Sequence, residues 1–205
     1  MSDCCGQNLG FDGQSKAYRR VLWVIIAINA LMFGVEMLAG ALAGSQALQA
    51  DALDFLGDSL TYGLSLVVIG RSLRSRTRVA MIKGVSLALM GIWVLGYTLY
   101  QVTVLGVPHA TTMGFIGVLA LAANLISVAL LMRYRDGDAN VRSVWLCSRN
   151  DAIGNLAVIA AAIAVGFTHS AWPDLLVAAL MATLFLRSAL QILRQAWQEG
   201  FVAAR

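Results

Sequence analysis

Six apolar stretches, each about 20 residues long, alternate with short polar connections along this chain. They predict membrane-crossing helices over roughly 21–43, 46–70, 80–103, 112–132, 143–167 and 172–193. The pattern therefore predicts an all-α polytopic membrane protein with six transmembrane helices. Only a turn at Gly44 and Ser45 separates the first two spans, which must form a tight hairpin. Gly40 and Gly44 make a small-xxx-small pair, expected to let two helices approach closely.

One polar stripe interrupts this pattern. Span two reads ALQADALDFLGDSLTYGLS over residues 47–65 and carries Asp51, Asp54 and Asp58. At helical spacing the three carboxylates fall within roughly 60° of one another. Thr61, Tyr62 and Ser65 continue the stripe. A carboxylate at bilayer depth costs several kcal/mol unless it faces protein, water or a cation. Structural capping or salt bridging would also place acids there, but nearly all basic residues lie elsewhere. A cation site is the better reading.

Span one carries Glu36 on a face shared with Asn29, Phe33 and Gly40. In the hairpin this face can support the aspartate stripe. Span five carries CSRNDAIGNLAVI, where Cys147, Asp151 and Asn155 recur every four residues and Asn150 flanks their face. Arg149 points roughly the other way, placed to snorkel or to pair with an acid on a neighbouring helix. Counted at helical rise from the ends of the spans, Asp54 and Asp58 lie roughly 18–24 Å deep, and Cys147 and Asp151 roughly 8–13 Å. The two clusters share one level only if the spans shift or tilt.

Composition agrees with the class: 59% of residues are hydrophobic, 13% are charged, and the mean hydropathy is +0.74. An isoelectric point near 9.3 raises nucleic acid as a partner, but the distribution of charge argues against it. Lys16, Arg19 and Arg20 precede span one; Arg71, Arg74, Arg76, Arg78 and Lys83 follow span two. Arg133, Arg135 and Arg142 follow span four, and Arg187, Arg194 and Arg205 lie at or beyond the end of span six. The three opposite loops hold no Lys or Arg, so the positive-inside rule places both termini in the cytoplasm of an inner (plasma) membrane.

Residues 1–17 read as a flexible cytoplasmic tail without a signal peptide, 18–195 as the six-helix domain, and 196–205 as a short tail with no folded domain. Cys4 and Cys5 are read either as a capture point for soft metal, helped by Asp3, or as two free thiols. Three cysteines in these positions give no disulfide framework.

Carboxylates paired at i, i+4 on two helices supply four ligands to a dication, and zinc accepts tetrahedral oxygen and sulfur donors. A thiolate biases such a site toward zinc, cadmium and softer ions. Clustered acids in a low dielectric are expected to hold protons, which an entering metal ion would displace. That exchange couples metal movement to opposite proton movement and needs no prosthetic group or enzymatic turnover.

These residues resemble the cation diffusion facilitator (cation efflux) family. The short hairpin, the D-A-x-[H/D]-x-x-x-D run from Asp51 to Asp58, and the four-residue pair on span five carry the resemblance, which extends over about 18–195. It implies six helices, metal–proton antiport by alternating access and a homodimer. It also implies Asp54, Asp58 and Asp151 as transport ligands, with Asn155 at a polar position one turn on. Cys147 stands where the family has histidine, and Asn150 could supply a weaker oxygen. The loop between spans four and five lacks a His-rich tract, and the family's cytoplasmic domain is expected to be missing.

The expected function is export of a transition-metal dication, zinc first and cadmium or cobalt next. Asp51 and Glu36 are expected to assist metal or proton passage. Two other readings stand beside it. One is a membrane enzyme, with paired aspartates or a nucleophilic Cys147. It is disfavoured because no Gly-x-Gly-Asp motif accompanies the acids and both histidines, His109 and His169, fall in the opposite loops. The other is a non-transporting metal sensor or accessory subunit.

Overall fold

A computed structural model of the chain describes residues 15–68, 73–104, 106–135 and 139–202. Six helices account for almost all of them: α1 (Lys16–Ala43), α2 (Gln46–Val68), α3 (Leu73–Val104), α4 (Ala110–Leu131), α5 (Ala139–Thr168) and α6 (Trp172–Val202). A single 3-10 turn, Met132–Tyr134, follows α4. Among the described residues there is no strand. Cys4 and Cys5, with Arg71, lie outside the described residues. α6 runs on to Val202, into the stretch expected to be a tail.

The surface identifies the solvent. Leu31, Leu38, Leu42, Phe115 and Phe167 all point outward, Phe167 with 84% of its surface exposed, while Asn29, Glu36, Asp51 and Asn155 are buried. Large apolar groups outside and polar groups inside suit lipid, where no water satisfies an outward polar group. Five of the helices are long and apolar enough to cross a membrane. The sixth, α2, carries the three aspartates and is enclosed by the others, touching every one of them. The chain is thus an all-α polytopic membrane protein. Trp93, Tyr97 and Tyr100 stack in a ladder along the outward side of α3, at centroid spacings of 5.9 and 6.0 Å.

Three antiparallel pairs build the bundle: α1 with α2, α4 with α5, and α3 with α6. Two cores hold it. One joins Leu48 and Leu53 of α2 to Met113 and Ile116 of α4, Val158 and Val165 of α5, and Met181 and Phe185 of α6. The other lies toward the end that carries the termini and gathers Tyr18, Leu22 and Ile25 around Tyr62, Leu66, Leu131 and Val144.

The hairpin glycines divide their work differently from the expectation. Gly40 is a packing glycine, since a Cβ there would sit 3.0 Å from Leu48 Cβ and from Gln49 Cγ. Gly44 packs on nothing. It has φ 68°, and the Ser45 amide donates to the Gly40 carbonyl at 2.9 Å, so Gly44 ends α1 as a left-handed cap. Along α3, Gly84 and Gly91 let α6 approach: a Cβ at either would lie 2.8–2.9 Å from Leu193 or Leu186.

A carboxylate from the far end of the chain caps α2. Asp174, in the first turn of α6, accepts from the Ser45 hydroxyl at 2.6 Å, the Gln46 amide at 2.7 Å and the Ala47 amide at 3.1 Å. The Ser45 Oγ in turn accepts from the Leu48 amide at 3.1 Å. One buried anion thus satisfies the donors at the start of α2, where the helix dipole favours negative charge. The α1–α2 turn is thereby fastened to α6.

This cap generates a prediction. Asp174→Ala strips partners from buried donors and should cost about 1–3 kcal/mol. Thermal unfolding in detergent is expected to show a lowered Tm. An unchanged Tm would mean that the cap does not hold the hairpin to α6.

Candidate metal site

The polar stripe of α2 and the acidic face of α5 meet. Asp54 and Asp58 of α2 and Cys147 and Asp151 of α5 line one cavity of about 370 Å³. Thr61 and Asn150 join them, α3 contributes Lys83 and Leu87, and α6 contributes Phe185, Ser188 and Gln191. Depth explains the meeting. α5 is already helical at Ala139, four residues before the expected 143, and the described part of α2 reaches Val68. At 1.5 Å per residue Asp54 and Asp58 lie about 15–21 Å from Val68, and Cys147 and Asp151 about 12–18 Å from Ala139. The extra turn of α5 brings the two clusters level.

Asp151 of α5 comes within side-chain hydrogen-bonding range of both Asp54 and Asp58 of α2. Among the described residues, no three His, Cys, Asp or Glu side chains stand close enough to hold an ion between them. Asp58 is held to one side, where its Oδ2 accepts from the Tyr62 hydroxyl one turn along α2. The Tyr62 hydroxyl also lies 3.4 Å from Ser148 Oγ on α5. Tyr62 is wholly buried, so this link between α2 and α5 is shielded from solvent. Cys147 is a free, half-buried thiol that also packs against the core around Tyr18 and Tyr62. Asn150 is partly engaged, as its Oδ1 accepts from Arg149 Nη2 at 3.2 Å. The Arg149 guanidinium lies 5.4 Å over the Trp145 ring, and Arg149 is not part of the described cavity lining.

The remaining polar residues of interest lie apart from the cavity lining. Glu36 and Asp51 face each other between α1 and α2 and are buried. Apart from one another, both Glu36 carboxyl oxygens and Asp51 Oδ2 have no hydrogen-bond partner among the described residues. Asn155 is fully buried on α5, its amide likewise without a partner. It shares the helical phase of Cys147 and Asp151 but sits deeper in the core. Reading the sequence for acids overlooked two groups at the cavity: Lys83, counted with the basic loop, and the Tyr62 hydroxyl, taken only as a continuation of the stripe. Lys83 was detectable, since it lies inside the range expected for span three.

Four of the six helices of this membrane bundle, α2, α3, α5 and α6, thus line a half-enclosed acidic cavity. The chain belongs to the cation efflux family, matching its transmembrane domain over residues 22–199. It is 30% identical over 193 residues to the metal cation efflux system protein CzcD of Cupriavidus metallidurans, which covers 85% of this chain and 61% of that protein. It is 28% identical over 194 residues to the zinc transporter ZitB of Escherichia coli, covering 88% of this chain and 62% of that protein. It is 25% identical over 201 residues to a cadmium, cobalt and zinc/H(+)-K(+) antiporter of Bacillus subtilis, covering 90% and 64%. The chain thus spans a little over three fifths of the length of these relatives.

The cavity makes a direct prediction for Cys147. With Cys4 and Cys5 replaced by serine, a membrane-impermeant thiosulfonate should label Cys147 from the side that carries the termini. Labelling only from the opposite side would show that the cavity opens the other way.

Proposed function

We propose that this protein exports a transition-metal dication, zinc first and cadmium or cobalt next, in exchange for protons. The observation that carries the reading is the assembly of Asp54, Asp58, Asp151 and Cys147, from two helices, around one cavity. Three carboxylates and one thiol match the donors that a four-coordinate zinc ion accepts. The names of the CzcD, ZitB and antiporter relatives point to the same class of cargo.

In this proposal the ion enters from the cytoplasm, because the lining comes from the ends of α2 and α6 and the starts of α3 and α5. The distribution of basic residues supports reading that end as cytoplasmic, in an inner membrane. The ligands draw together on the ion, and Tyr62 gives up or shifts its hydrogen bond to Asp58 as they do. Protons held by the acids leave as the ion binds, which sets up antiport. Rocking of the bundle then exposes the ion to the other side. Glu36 and Asp51 assist from behind the site, Asn150 and Asn155 supply secondary polar contacts, and Cys4 and Cys5 collect metal before entry. Two copies are expected to work as a homodimer within the lipid bilayer.

Flux in proteoliposomes tests this. Asp54→Ala, Asp58→Ala and Asp151→Ala should each abolish zinc uptake while insertion is retained, since each removes one of few charged ligands. Wild-type rates in any two of them would remove the site assignment. Cys147→Ser is expected to depress cadmium flux more than zinc flux, because a soft donor matters most to the softer ion. A cadmium-to-zinc ratio equal to wild type would leave Cys147 as a packing residue.

A further inference from the structure

Lys83 lies on α3 with its side chain at the wall of the acidic cavity, alongside Asp54, Asp58, Cys147 and Asp151. It is the only basic residue in the described lining. It is partly buried, and among the described residues no ion pair holds it. The packing of α3 on α6 fixes its position: Gly84, the next residue, sits against Leu193 so tightly that no Cβ fits, which holds this turn of α3 close to α6. Asp58 and Cys147 both feel its charge.

A second crevice adjoins the cavity, of about 120 Å³, and Lys83 lines this one too. Its other walls are α2 and α3, with Thr61 and Ser86 as the nearest hydroxyls and Leu60, Leu64 and Met90 as apolar lining. Lys83 therefore stands on the partition between the two spaces. A four-carbon stem lets its ammonium lean toward the acids or withdraw toward Thr61 and Ser86.

We propose that Lys83 is a tethered counter-charge that weakens the hold of the cavity on a dication and so speeds its release. The proposal rests on the reading of this cavity as the ion site. Three carboxyls and a thiol present up to four negative charges to an ion that carries two. A carrier that binds its cargo too tightly turns over slowly, and a positive side chain at the wall offsets the surplus. On ion entry the ammonium withdraws into the adjoining crevice; as the ion leaves, it returns and takes up part of the vacated charge. Binding energy is thus traded for turnover without a change in the ligands.

The test separates affinity from rate. Zinc and cadmium binding is measured by titration calorimetry on the full chain in detergent, and KM and maximal flux in proteoliposomes. Lys83→Gln and Lys83→Met should each bind the metal roughly tenfold more tightly, lower KM and reduce maximal flux several-fold, as expected for one unit charge removed from a partly buried site. Lys83→Arg should keep wild-type affinity and rate. Asp58→Ala, run beside them, reports on the site itself. Loss of binding there with wild-type or weaker binding in both neutral Lys83 variants would overturn the role of Lys83 and leave the site. Wild-type binding in Asp58→Ala would overturn the site reading, and the Lys83 proposal with it.

Discussion

Placing three carboxylates on one helix inside a membrane constrains every other part of this fold. Lipid offers no hydrogen bonds, so the aspartate-bearing helix cannot face it. α2 is accordingly wrapped by the other five helices, and the large apolar side chains of those helices are turned outward. The same constraint shapes the ends of α2. Its first amides, buried in the bundle, are satisfied by Asp174 from α6. Further along, Asp58 takes the Tyr62 hydroxyl. Asp54, Asp58 and Thr61 of α2 open into the cavity shared with α3, α5 and α6, while Asp51 faces Glu36 of α1.

A division of labour along the bundle follows. Away from the termini, small residues and the Asp174 cap draw α1, α2 and α6 together around a close-packed core. Toward the termini the helices separate enough to leave a space with acids on two walls and a lysine on a third. A close-packed end thus stands opposite an open one. The buried Glu36–Asp51 pair lies between these regions, at the hairpin that joins them.

Much of this was legible in the sequence. Hydrophobic length and the spacing of charges gave all six helices, because a span must be long and a buried acid must recur at helical phase. The phase of Asp54, Asp58, Cys147 and Asp151 likewise foretold the face on which each lies. Features that depend on a distant partner were hidden. Asp174, at the start of span six, showed nothing of its capping role because its three donors lie about 130 positions earlier. Gly44 looked like a packing glycine because a motif spacing cannot distinguish close contact from a left-handed φ. Lys83 looked like one more member of a basic loop, since only the contact of α3 with α6 shows which wall it joins. The level of the two acidic clusters hung on where α5 begins, and the weakly apolar turn before Ser143 carried no sign of that boundary.

The central claim is that the cavity between α2 and α5 holds the metal through carboxylates and one thiol. X-ray absorption at the zinc edge tests it most directly, using zinc-loaded protein whose Cys4 and Cys5 have been replaced by serine. The account predicts a first shell dominated by oxygen with a single sulfur at about 2.3 Å, and loss of that sulfur in Cys147→Ser. A shell carrying imidazole scattering from His109 or His169, or no stably bound zinc, would contradict it.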